Sequence, residues 1–370
     1  MTIAFSNHLK RLFLGIVFAF FTIPLFAQVT HTDSIKLDYS KIYGYAMQAD
    51  VKPALAMLKY DHSKKISAKD SLFIKDFTNR FAYKKDKGDD TSWRKSPIAD
   101  LLSIYLPYWR ASLEDTAAKN TTKLFKGLTD LLSARYPLKN NGKIWPEDTI
   151  DLYLTKYLTS RGFYSTGLNK VGRLYDMQVW KTQKDTVYEF TIQQETLKVP
   201  VIFMTDFLTL GWEQYASLGK YYPGGWSKPE GLYCVRQAYD LKSDLFLIEF
   251  LAHEGRHYQD QKLFPKLKGA DLEYRAKLVE LSLSKKLLFE LIQYFINESN
   301  HQDYQNSHPF ADYCMIRDLS RILFKVEFEK DMTKWNSISV SEINKAAEDL
   351  LTENTAELKE LGPTVETYIK

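Results

Sequence analysis

The spacing of apolar residues changes twice along this chain, and no other property of the sequence limits its architecture as strongly. From about Ser34 to Tyr136 they recur at three and four positions, as in Leu101, Leu102, Tyr105, Leu106 and Trp109, the stripe expected of amphipathic helices. After Tyr164 the period shortens. Residues 173–180, 186–192 and 197–204 are short runs rich in Val, Ile, Tyr and Phe, which predict strands, with Lys184-Asp185 as a tight turn between the first two. A further strand is expected over 231–236, after the turn-rich Tyr222-Pro-Gly-Gly-Trp226. From Leu245 the helical spacing returns and continues to the end of the sequence. This order predicts an α+β fold, mostly helical, with a small mixed sheet ahead of a helix at 246–260. It divides the chain into a helical region at 28–163 and a second region at 164–370, and residues 84–90 (KKDKGDD) read as a solvated loop.

The first residues bear on the compartment. Lys10 and Arg11 lead into an apolar run from Leu12 to Ala27, shorter than the ~20 residues that span a bilayer. A cleavable secretory signal at 1–27 is therefore expected, and with it an exported protein, periplasmic or extracellular, with no stable membrane insertion after cleavage. Beyond Ala27 there are 48 basic against 46 acidic residues, so no charge excess attracts nucleic acid or an anionic membrane surface. The two cysteines, Cys234 and Cys314, suit either a disulfide in an oxidising compartment or two separately buried thiols.

Within the apolar stretch 246–260 stands His253-Glu254-Gly255-Arg256-His257. On a helix, residues four apart lie one above the other, so the two imidazoles can reach one metal ion while the glutamate between them turns toward its open side. Catalytic zinc takes three protein ligands and keeps a fourth place for water, which suits Glu254 as the base that takes a proton from it. Gly255 in mid-helix costs about 1 kcal/mol relative to alanine, a cost easier to accept where something approaches the backbone closely. Pro265 and Gly269 break the chain after this helix, and Asp271 reads as the N-cap of the next. That helix carries Glu273 and Glu280 on one face, and either can supply the third ligand. Glu273 is favoured, because it lies in the first turn and Ala276 one turn on lets the two helices come close. Asp260 is expected to hold the second nitrogen of a ligand histidine, and Glu249 is expected on the exposed side.

The segment from His253 to Glu280 resembles the zincin metallopeptidases, and with its downstream glutamate it is most similar to their gluzincin branch. That resemblance implies a Zn2+ centre of His253, His257 and Glu273, with Glu254 catalytic and a peptide or protein as substrate. It also implies a mixed sheet whose edge strand pairs with extended substrate, a place that 231–236 would take, although an ordinary packed strand fits there equally. One position departs from the branch: where Glu-x-x-Ala is often followed by an aspartate that supports a histidine, this chain has Lys277. His301, Tyr304, His308 and Arg317 lie downstream, but none stands in a motif that marks it as the group stabilising an oxyanion. The alternative is a non-catalytic binding protein of the periplasm or cell surface, which keeps such a fold and a structural metal.

Overall fold

A computed structural model describes residues 36–370, except 62–63, 84–86, 88–91, 118–119, 138–141, 193–194, 303 and 305. The signal segment 1–27, and all of the loop 84–90 but Lys87, lie outside the described residues. The fold is α+β, mostly helical, with a small mixed sheet.

The chain forms two compact units, one of the described residues up to 183 together with 204–223, the other of 184–203 with 224–370. The first opens with helices α1 (Tyr39–Met47), α2 (Val51–Met57), α3 (Ala68–Phe81), α4 (Ala99–Glu114), α5 (Thr121–Ser133) and α6 (Glu147–Thr159). Asp38, Asp50 and Ser67 start α1, α2 and α3 by accepting the backbone N–H groups of Lys41, Lys52 and Asp70, which no helical carbonyl satisfies. In α4 the predicted stripe turns inward, with Leu101, Leu102, Tyr105 and Trp109 buried. Strands β1 (Tyr164–Ser165), β2 (Asn169–Val171) and β3 (Leu174–Asp176) follow, and α7 (Trp212–Ala216) comes later in the chain. The unit does not stop at residue 163, because Leu174, Met177, Val179 and Trp212 bury their side chains in the same core as α4, α5 and α6.

Two long strands, β4 (Val179–Ile192) and β5 (Glu195–Thr209), belong to a five-stranded sheet of order β1-β4-β5-β7-β6, while β2 and β3 pair separately. Lys184-Asp185 is not a turn but lies inside β4. Neither residue is the glycine or asparagine that a two-residue hairpin turn favours at positive φ, so the strand simply continues.

The second unit holds β6 (Gly225–Lys228) and β7 (Gly231–Val235), then α8 (His253–Leu263), α9 (Gly269–Leu283), α10 (Leu288–Glu298), α11 (Ser307–Phe324), α12 (Met332–Trp335) and α13 (Val340–Leu361). Gly225 already belongs to β6, where a Cβ would fall 2.3 Å from the Tyr233 carbonyl, so the turn expected over 222–226 is shorter than its glycines suggest. Because β6 folds back antiparallel on β7, the strand at 231–235 lies between β5 and β6 and is not an edge; β6 takes that place. Helix α9 is the axis of the unit: every residue from Ala270 to Leu281 except Leu272 is buried, against α8, α11 and α13. A capping box between Ser339 and Glu342 begins α13.

Cys234 and Cys314 are two free, buried thiols rather than a disulfide. Burial raises both, Cys314 to about 12. Among the described residues no helix is long and apolar enough to cross a membrane.

Candidate metal centre

Residues 245–252, just before α8, coil as a π-helix, a wide-turned form that is rare and concentrates at functional sites. Its exposure pattern inverts the usual preference, with Leu247 42% exposed and Glu249 only 5%. The expectation of an exposed Glu249 is thus corrected. Its carboxyl faces a buried polar cluster, and burial, helped by the nearby charge of Glu280, raises it to about 8.

Helix α8 continues from this segment and presents His253, Glu254 and His257, all buried. The two imidazoles meet edge to face, and their Nε2 atoms are 3.0 Å apart. Gly255 is explained by packing: a Cβ there would lie 2.5 Å from the end of the Phe190 ring, which comes from β4.

From α9, Glu273 enters the same space with one oxygen 3.3 Å from His257 Nε2 and the other 3.5 Å from His253 Nε2. Neither oxygen makes a hydrogen bond of good geometry to any described group, and His257 Nδ1 is likewise without one. Two imidazole nitrogens and a carboxylate converge there, and positive charge, whether a proton or a bound cation, stabilises such a group. The spacing suits a bound cation. Ligands about 2.0–2.1 Å from a tetrahedral ion stand roughly 3.3–3.4 Å apart; here the two Nε2 atoms are 3.0 Å apart, each has a different Glu273 oxygen at 3.3 or 3.5 Å, and one ligand atom from each residue lies within 4.8 Å of the other two. The buried group His253, His257 and Glu273 could therefore hold a metal ion.

The surroundings support the same conclusion. Glu280 does not join the three groups but accepts from His253 Nδ1, so that in the neutral ring the lone pair is on Nε2, toward Glu273 and His257. Burial alone would lower the His253 imidazole, yet Glu280 and Glu273 outweigh it and raise the group to about 10. Glu273 moves the opposite way: burial opposes ionisation, but His308 and His257 hold its carboxyl well below the usual range. The pocket favours positive charge.

Asp260 has another role than the one expected of it. It is fully buried and accepts from Arg275 Nε and Nη2 at 2.8 and 3.0 Å, and from Arg256 as well, so it bonds guanidinium groups rather than a histidine. Asp271 is also not the N-cap; Lys268 is. The Asp271 carboxylate instead accepts the backbone N–H groups of Tyr368 and Ile369 and the Tyr304 hydroxyl. Lys277 is buried against Asp312.

Of the four downstream residues, only His308 reaches the cluster. It stands in the first turn of α11 with Nδ1 3.0 Å from Glu273 Oε2, and its side chain, 24% exposed, is the part of the cluster most open to solvent. Tyr304 bonds Asp271, Arg317 bonds Asp318, and His301 stacks near Tyr313. Nothing in the local sequence distinguishes His308; a contact between helices 35 positions apart brings it in. Compared with known proteins, the chain matches no family model, no curated protein and no solved structure.

Proposed function

We propose that this chain is an exported zinc-dependent hydrolase of the zincin type, most simply a metallopeptidase, acting on a peptide or protein substrate in the periplasm or outside the cell. The observation that carries the reading is the buried convergence of His253 Nε2, His257 Nε2 and the Glu273 carboxylate within 4.8 Å of one another, with Glu254 on the same turn of α8. His253, His257 and Glu273 would hold the ion, and Zn2+ suits two imidazoles and one carboxylate. When bound, zinc supplies Lewis acidity and lowers the pKa of water to about 7.

The chain's own residues do the rest. Glu254 accepts a proton from the attacking water and returns it to the leaving amine. Glu280 fixes the His253 tautomer, and the near-complete burial of the ligands excludes competing water from their far side. His308, the imidazole most open to solvent, would donate to a substrate oxygen. Export rests on the segment 1–27.

Purified protein is expected to contain about one zinc per chain. Glu254→Gln should keep that metal and lose hydrolysis of a mixed peptide library; unchanged hydrolysis in this variant removes Glu254 from catalysis while leaving the metal centre standing.

One observation favours a second reading. His308 Nδ1 is 3.0 Å from Glu273 but outside the three converging groups; if it joined them, four protein groups would close the site, which is the pattern of a structural metal in a binding protein. Under that reading zinc is present, no peptide is cleaved with or without chelator, and His308→Ala weakens zinc binding as strongly as His257→Ala.

A further inference from the structure

We propose that the buried ion pair Lys277–Asp312 is a positioning device for the metal centre, setting the register of α9 against α11 and so holding Glu273 and His308 at their working separation. The inference rests on the metal reading above. Glu273 and Lys277 are one turn apart on α9, and His308 and Asp312 are one turn apart on α11. The two helices are thus joined by two successive rungs, Glu273 to His308 at 3.0 Å and Lys277 to Asp312 at 2.9 Å. Lys277 is 2% exposed and Asp312 1%, and the ammonium also lies 4.5 Å from the centre of the Phe295 ring.

Stability gives no reason for such a pair. Two charges taken out of water roughly break even with apolar side chains of the same volume, which often serve better. What the pair adds is a fixed separation: apolar contact is non-directional, whereas the attraction of two buried opposite charges 2.9 Å apart weakens with any slide of one helix along the other. Glu280, not Lys277, supports His253. The lysine is then left to join the ligand-bearing helix to the helix bearing His308. Lys277 and Asp312 act through Glu273 and His308; they are positioning residues, not catalytic ones.

The test compares the unaltered chain with Lys277→Met/Asp312→Leu and with Lys277→Arg. Zinc affinity is measured by chelator competition, and thermal stability on the metal-free form. The double variant avoids an unpaired buried charge, so its metal-free form is expected to melt at or above the unaltered temperature, while its zinc affinity falls about 10- to 100-fold. Lys277→Arg keeps the charged rung and should stay within about threefold. If the unaltered chain takes up no zinc, the metal reading itself falls. If it binds zinc and the double variant binds equally tightly, or if the metal-free double variant is destabilised in step with its affinity, the pair is ordinary packing and only the positioning role is overturned.

Discussion

Asp260 offers the sharpest test of how this site is held together. It lies on α8, one turn past His257, and bonds both Arg256 of its own helix and Arg275 of α9, so it clamps the helix of the two histidines to the helix of Glu273. Asp260 and Arg275 are each 0% exposed and Arg256 is 2%. Asp260→Ala therefore leaves two guanidinium groups buried beside an empty place, and removing one partner of a buried ion pair costs about 3–5 kcal/mol. If the second unit melts cooperatively, a unit of that size loses about 2–4 °C per kcal/mol, so its transition should fall by roughly 6–20 °C. Burial by itself would raise the Asp260 carboxyl, but Arg275 and Arg256 outweigh it and lower the group below its ordinary value. A carboxyl depressed in the folded state stabilises the protein above its unfolded pKa, and that stability is lost as pH falls through the folded value. The difference between the unaltered chain and the variant should thus be full at pH 6 and shrink only in strong acid. Calorimetry of both proteins from pH 3 to 7 measures it. A cost below about 1 kcal/mol at pH 6 would refute the reasoning, since it would mean that water or another acceptor replaces the carboxylate.

Glu280→Gln should keep the fold and reduce zinc affinity about 10- to 100-fold, as expected for loss of the charged partner of a ligand histidine, while Glu273→Ala should abolish stoichiometric zinc uptake; metal analysis after dialysis distinguishes them. Gly255→Ala gains about 1 kcal/mol of helix propensity but presses on Phe190 at a cost of about 1–3 kcal/mol, so it should be neutral or destabilising, and stabilising only when combined with Phe190→Leu in thermal melts. Burial, with the charge of Asp176 added, raises Glu213 in the first unit to about 8, so the stability it contributes is full below pH 4.5 and lost as pH rises through 8. Glu213→Gln should accordingly stabilise that unit at pH 9 by on the order of 2 kcal/mol and change little at pH 4, as read from urea titrations at both values.

How much of the site could be read in advance depended on the range of the contact. His253 and His257 share a face because one helical turn separates them, and that follows from local geometry once the apolar run makes a helix. The level of Glu273 on its helix follows from the break at 264–268, and the structure sets Glu273 beside the Nε2 atoms and Glu280 behind His253. His308 and Asp312 gave no signal, since nothing within a helix reports which distant helix it will face. The burial of Glu249 is illegible for a related reason: a glutamate is normally solvated, and only the assembled cluster makes burial the better place for it.

The periodicity of apolar residues, the breaks between elements and the one-turn spacing of two histidines are local properties, set by backbone geometry and by which side chains water rejects, and these the amino-acid order determined unaided. Partner choice among buried charges was decided by the packing of α8, α9 and α11, which gave Asp260 to two arginines, Lys277 to Asp312 and Glu280 to His253. A charge removed from water must find an opposite charge within a few ångströms, and the one it finds depends on which helices the core brings together.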